Sequence, residues 1–266
     1  RLHGGGRAPE RAAAIIADPI SSEPIMARIA DIAAYRFVPL DDRTLLRTRL
    51  REAAASRNLL GTILLAPEGI NLFLAGEEAG VHAFVDDLRA DARFAAIDVK
   101  WSGSDTVPFK RLRVRLKNEI VTLRAPDLDL AATPAPYLPA AELARWYDEG
   151  RDFVMVDTRN AWEVAEGSFD NAIDPHIASF GEFPRFLDRI EALKDKTIVT
   201  FCTGGIRCEK AAPLMKRAGF KHVHQLEGGI LRYFEQNGGA HWRGNCVVFD
   251  ERGALRPDLS PADQPQ

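Results

Sequence analysis

The sequence predicts an α/β protein built from two units, an α+β domain over residues 26–124 and an α/β domain with a central parallel sheet over residues 140–240. Three observations predict it. Apolar β-branched runs and helical periods follow one another in the order βαββαβ up to Trp101. Four prolines, Pro126, Pro134, Pro136 and Pro139, then interrupt the pattern and mark residues 125–139 as a linker. Beyond them strands and helices alternate, as in a parallel sheet covered on both faces. A chain of 266 residues is long enough for two such domains.

In the first unit, residues 29–40 read as a strand ending at Pro39, and Asp41-Asp42-Arg43-Thr44 open a helix with Leu45, Leu46 and Leu50 at helical spacing. Residues 61–66 and 70–74 are two apolar strands joined by Pro67-Glu68-Gly69, a hairpin signal. Residues 77–89 place Val81, Phe84, Val85 and Leu88 on one helical face, and a strand runs through residues 97–101. The order is that of the ferredoxin-like split unit, which by itself says little about function. In Leu112-Arg113-Val114-Arg115-Leu116-Lys117 apolar and basic residues alternate, so a strand here buries Leu112, Val114 and Leu116 and displays Arg113, Arg115 and Lys117. Asn118 then turns the chain into residues 120–123, completing a basic β-hairpin.

In the second unit, residues 140–149 and 180–193 read as amphipathic helices, residues 153–157 and 197–201 as buried strands, and residues 222–229 as a last strand before a helix over 230–236. Residues 241–266 form a C-terminal tail. Residues 1–25, with Gly4-Gly5-Gly6 and three prolines, read as disordered or as an upstream extension, Met26 being a native start.

Composition bounds the function. With 35 basic and 38 acidic residues and a net charge of -3 the chain is no polycation, so contact with nucleic acid must be a local patch. Such a patch exists. From Val99 to Arg124 seven basic residues, Lys110, Arg111, Arg113, Arg115 and Lys117 among them, stand against two acids. A solvated strand face explains them as well as a phosphate-binding surface does. Three cysteines, Cys202, Cys208 and Cys246, make no disulfide framework and fit a reducing cytoplasm. No run approaches the ~18 apolar residues of a membrane helix.

The chemistry concentrates at Cys202-Thr203-Gly204-Gly205-Ile206-Arg207-Cys208, between the strand ending at Phe201 and the helix starting near Glu209. A strand–loop–helix junction directs the loop N–H groups of Thr203 to Arg207 and the helix dipole at the Cys202 sulfur, which favours the thiolate. Each hydrogen bond to a charged group is worth about 1.5–3 kcal/mol, so several converging donors lower a thiol pKa by units. Arg207 completes a positive pocket. Cys208 either resolves an oxidised or persulfidated Cys202 or packs; Asp157 and Arg159 read as an ion pair bracing the strand end beneath the loop; Cys246 reads as structural. His222 and His224 lack partners at metal-ligand spacing, so no metal is expected. The C-x4-R spacing from Cys202 to Arg207 is one residue shorter than the loop cysteine phosphatases use to encircle a phosphate.

Asp157-Thr158-Arg159, Glu163 with Gly167 four residues on, the Cys202 loop and Leu226-Glu227-Gly228-Gly229-Ile230 resemble a rhodanese domain. More narrowly, FCTGGIRCEK at 201–210, APEGIN at 66–71 and GNCVVFD at 244–250, behind a ferredoxin/acylphosphatase-like domain, resemble the oxygen-dependent tRNA uridine hydroxylases over roughly residues 28 to 252. That resemblance implies conversion of the wobble uridine, position 34, to 5-hydroxyuridine, the tRNA anticodon region as partner and molecular oxygen as co-substrate. No flavin, haem or non-haem iron motif is evident, and no protein partner is identifiable. The sequence departs from the family at Leu72-Phe73, where small residues are usual, at Gly181, where an arginine is expected, and in lacking the cysteine-rich tail of longer members, which removes any metal cluster built on it. Two other readings stay open: a sulfurtransferase carrying a Cys202 persulfide, and a catalytically silent rhodanese module that binds RNA or protein.

Overall fold

The structure is a computed structural model describing residues 29–125, 127–130 and 132–263. The expectation for residues 1–25 lies outside them.

The first unit runs β1 (Ile29–Phe37), α1 (Arg43–Ala55), β2 (Leu60–Ala66), β3 (Gly69–Glu77), α2 (Glu78–Arg89), β4 (Asp98–Ser104) and β5 (Leu112–Leu116), with sheet order β4-β1-β3-β2-β5. Gly69 closes the β2–β3 turn at φ +151°, where a Cβ would sit 2.1 Å from the Arg36 carbonyl oxygen, so only glycine fits. Leu46 and Leu50 of α1 and Val81, Phe84, Val85 and Leu88 of α2 pack on one sheet face against Ile32, Leu72, Leu74, Ile63 and Val114. The other face carries different residues. Antiparallel register places Lys100, Ala33, Phe73 and Thr62 in one row across β4, β1, β3 and β2, and Asp98, Tyr35, Asn71 and Leu64 in the next. Among the described residues no helix of this unit covers that face, and it becomes one wall of the site.

Two expectations are corrected here. β5 pairs in parallel with β2, and residues 120–123 form no strand, so there is no basic hairpin. The Ile120 N–H is taken instead by the Glu68 carboxylate at 2.7 Å, while Leu123 packs into the core of the second unit. Val114 is buried, but Leu116, the last residue of the edge strand β5, is 40% exposed.

The second unit runs β6 (Tyr137–Leu138), α3 (Ala140–Asp148), β7 (Val154–Asp157), α4 (Ala161–Glu166), β8 (Gly167–Phe169), α5 (Phe183–Phe186) between two 3-10 turns, β9 (Thr197–Phe201), α6 (Cys208–Arg217), β10 (His222–Leu226) and α7 (Gly229–Asn237). Its sheet, β6-β10-β9-β7, is parallel throughout and has a hydrophobic core on each face. β6 lies inside the stretch read as linker, and Ala135 before it is already core. The helix expected over 180–193 is broken into Phe180–Glu182, α5 and Leu187–Leu193. Buried Phe180, Phe183 and Phe186 recur every three residues, the period of a 3-10 helix, and Pro184 cannot continue a helix that begins before it.

The tail adds short strands to the second unit. β11 (Trp242–Gly244) pairs with β8, and β12 (Cys246–Val247) pairs with β13 (Ala254–Leu255). No helix among the described residues is long and apolar enough to cross a membrane.

Candidate active site

Cys202 follows the buried strand β9 and is 1% exposed. The loop after it is tied down from behind: its carbonyl accepts from Ile230 N at 3.0 Å, the Thr203 carbonyl from Leu231 N at 3.0 Å, and Thr203 Oγ1 donates to the Val247 carbonyl at 3.2 Å. This close approach needs Gly229, at φ +68°, where a Cβ would lie 2.5 Å from the Cys202 carbonyl oxygen.

The sulfur accepts the Gly205 N–H at 3.2 Å. Burial pushes the Cys202 thiol up, but the Cys208 thiol, the Arg207 charge and the N–H groups of Arg207 and Gly205 together bring it down to about 6. Burial and the neighbouring Cys202 sulfur push Cys208 well above the ordinary thiol range, and burial pushes Cys246 up to about 12. Of the three cysteines, Cys202 alone is drawn below the ordinary thiol range. Cys208 Sγ lies 3.8 Å from Thr158 Oγ1.

Arg207 is not a free cation. Its guanidinium forks onto Glu163, with Nη1 to Oε1 at 3.0 Å and Nη2 to Oε2 at 2.9 Å, and Glu163 also accepts the Asn160 N–H as part of a capping box. Asp157 and Arg159 form an ion pair at 2.6 Å with both side chains fully buried, and Arg159 Nη2 also donates to the Gly167 carbonyl at 2.6 Å. Neither residue lines the cleft in front of the sulfur.

That cleft, about 340 Å³, lies between the Cys202 loop and the helix-free sheet face of the first unit. Thr203, Gly204, Ile206 and Arg207 line it with Cys202; Tyr35, Thr62, Asn71, Phe73 and Lys100 form the opposite wall; Phe249 of the tail, 46% exposed, stands at its rim. Arg207 lies 5.6 Å from the Phe249 ring centroid, a cation–π contact.

The basic strand meets this cleft through register. Thr62 pairs with Arg113 and Leu64 with Arg115 in the parallel β2–β5 ladder, and residues in register point to the same face. Arg113 and Arg115 thus extend the cleft wall by one strand, about 4.8 Å. The charges of Arg111 and Arg115 lower the pKa of Arg113, the mark of unneutralised like charges. Lys110 lies before the strand and pairs with Glu251 at 3.0 Å, while Arg111 and Lys117 are exposed at its two ends. Lys100, counted in the same basic excess, is instead buried, paired with Asp98 at 3.0 Å, and set over the Tyr35 ring.

Sequence reasoning missed Tyr35, Thr62, Asn71, Lys100, Glu163 and Phe249 as site residues. Glu163, Asn71 and Phe249 stand in the motifs quoted above and Lys100 in the basic excess, and Asn71 is also a lone polar residue in the apolar run from Ile70 to Leu74, whereas nothing local marks Tyr35 or Thr62. No cluster of three or more metal-ligating side chains occurs among the described residues.

Known proteins match both units. The model of the UPF0176 acylphosphatase like domain matches residues 29–120, and that of the rhodanese-like domain residues 139–236. A Variovorax paradoxus protein named tRNA uridine(34) hydroxylase is 55% identical over 88% of this chain and 92% of its own length. A Bordetella avium protein of the same name is 56% identical over 88% and 99%, and one from Cupriavidus necator 53% over 90% and 87%. Among solved structures, the rhodanese-like domain of an Anabaena protein aligns at 21% identity over 49% of this chain and 88% of that one, with a TM-score of 0.37, too low to add to the fold already described.

Proposed function

The chain belongs to the tRNA uridine(34) hydroxylase family, and from that premise we propose that it hydroxylates C5 of the wobble uridine of tRNA, with Cys202 as the reacting thiolate and Arg113 and Arg115 on the phosphate backbone. The observation that carries this reading is the β2–β5 register, which sets Arg113 and Arg115 on the same sheet face as the wall of the Cys202 cleft. A backbone held at that edge leaves the cleft for one unstacked base, the usual mode of sequence-specific RNA recognition.

A thiolate kept ionised at neutral pH is suited to add to C6 of uracil. The S–C6 bond forms, and the C5=C6 electron pair moves onto C5 and O4 as an enolate, making C5 nucleophilic. Oxygenation at C5, loss of the C5 proton and expulsion of the thiolate restore the double bond. With molecular oxygen as co-substrate, the C5–O bond forms and the O–O bond breaks, the second oxygen atom leaving as water with two protons and two electrons from a thiol reductant, two thiols becoming a disulfide.

The experiment is nucleoside mass spectrometry of tRNA from cells lacking the gene, complemented with wild type or Cys202→Ser. Loss of 5-hydroxyuridine, restored by wild type alone, is expected. Unchanged 5-hydroxyuridine in the deletion strain overturns the hydroxylase reading, and full rescue by Cys202→Ser overturns the thiolate's role. The Gly205 N–H on the sulfur also suits a persulfide carrier, for which loss of a thiolated nucleoside is the expected signature.

A further inference from the structure

Asn71 is a polar side chain in the apolar strand β3, 8% exposed, and its amide nitrogen is anchored. Its Nδ2 donates to the Ile120 carbonyl at 3.2 Å. That carbonyl is itself held, because the Ile120 N–H is bonded to Glu68, whose carboxylate pairs with Lys210 at 2.8 Å. The amide plane of Asn71 is therefore fixed, with its donor end turned to the protein. Its acceptor end is different. Oδ1 receives no hydrogen bond from the described residues, yet it is not among the sealed polar atoms that lack a partner, so it opens into the space Asn71 lines, the Cys202 cleft. An oriented acceptor in a mostly apolar cleft asks for a ligand N–H.

Resting on the hydroxylase reading, we infer that Asn71 is a specificity-determining residue whose Oδ1 accepts the N3–H of the target uracil. Two donors stand on the same wall for the flanking carbonyl oxygens: the Thr62 hydroxyl, which bonds to no described residue, and the Lys100 ammonium. The ring geometry agrees with the chemistry. N3 lies across the pyrimidine from C6, so an N3 edge held on the sheet wall turns the C5–C6 bond toward the Cys202 loop on the opposite wall. Cytosine presents a lone pair at N3, which would meet Oδ1 acceptor to acceptor, and a site with a buried acceptor left unpaired rejects such a ring.

The test uses the full chain with anticodon stem-loop RNAs carrying uridine, N3-methyluridine or cytidine at the target position, and reads both Kd and 5-hydroxylation. Wild type is expected to bind the N3-methyluridine and cytidine RNAs about 10–100-fold more weakly than the uridine RNA. Asn71→Ala is expected to weaken the uridine RNA by a similar factor and bring the uridine to N3-methyluridine ratio close to one, with the Cys202 thiolate titration unchanged. Asn71→Ser, which keeps a small polar side chain in the strand, replaces it if the alanine variant does not fold. Equal losses on all three RNAs, with the ratio preserved, assign Asn71 to packing and overturn the inference; so does a wild-type protein indifferent to N3 methylation. The two arms separate the readings: binding discrimination without 5-hydroxyuridine removes the reaction and keeps the base contact, whereas 5-hydroxyuridine without discrimination does the reverse.

Discussion

Cys208 is the neighbour that most lowers the Cys202 pKa, so replacing it tests the electrostatics of the whole loop. In Cys208→Ala the thiol donor disappears while the Gly205 N–H and the Arg207–Glu163 pair remain. A hydrogen bond to a charged group is worth about 1.5–3 kcal/mol, and one pKa unit about 1.4 kcal/mol, so the Cys202 midpoint rises by about 1–2 units. Starting from about 6, the thiolate fraction at pH 7 falls from about nine-tenths to between about one-half and one-tenth. Cys208→Ser retains a donor and shifts the midpoint far less. The assay is thiolate absorbance at 240 nm against pH. It reads Cys202 alone near neutrality, because Cys246 titrates at about 12 and Cys208 well above the ordinary range. A midpoint that does not move in Cys208→Ala, or a wild-type midpoint in the ordinary thiol range, refutes the reasoning.

Arg113→Ala with Arg115→Ala is expected to weaken tRNA binding uniformly across sequences and to flatten the dependence of log Kd on log salt by about 0.7–0.9 for each phosphate no longer neutralised; an unchanged slope makes this a solvated strand face. Gly229→Ala puts a Cβ 2.5 Å from the Cys202 carbonyl oxygen and 2.6 Å from Gly205 N at φ +68°. The expected cost is above about 1 kcal/mol in urea denaturation, with a raised Cys202 midpoint as the loop shifts. Burial pushes the Asp31 carboxyl up to about 6 although Arg252 pulls it down. Its folded value lies above the unfolded one, so its stabilising contribution is complete in acid and is lost as pH rises through about 6. Between about pH 4 and about pH 7 wild type therefore loses on the order of 1–3 kcal/mol that Asp31→Asn does not, measured as the difference in urea midpoints.

The contrast between what local pattern reveals and what it hides follows chain distance. Cys202 to Arg207 is one contiguous loop, and its strand–loop–helix geometry follows from the residues on either side. Glu163, by contrast, reaches Arg207 across 44 positions, and no local pattern indicates that this cation is neutralised. The alternation of Leu112 to Lys117 correctly implies a strand, but which neighbour it joins is a non-local choice; pairing with β2 rather than with residues 120–123 turned an expected hairpin into a sheet edge. The error over residues 180–193 was one of period. Aromatic residues every three positions suit a 3-10 turn, and near such spacing a 3.6-residue helix looks equally amphipathic. Asn71 was visible as an anomaly in an apolar strand, yet its meaning depends on Ile120, 49 residues away.

The loop's dependence on the first unit runs through three consecutive residues of α6. Cys208, in the first turn, lowers the Cys202 pKa. Glu209 accepts hydrogen bonds from Tyr35 of β1 at 3.0 Å and from Tyr137 of β6 at 2.8 Å. Lys210, buried, binds Glu68 at 2.8 Å, Glu119 at 2.6 Å and the Val121 carbonyl at 2.9 Å. The first turn of the helix that faces the thiolate is thus also the turn that docks the two units. Since Glu68 fixes Ile120, and Ile120 fixes Asn71, the same ion pair that docks α6 also orients the acceptor on the opposite wall. One buried ammonium thus ties α6 to Glu68, and through Glu68 and Ile120 to Asn71 on the opposite wall of the cleft.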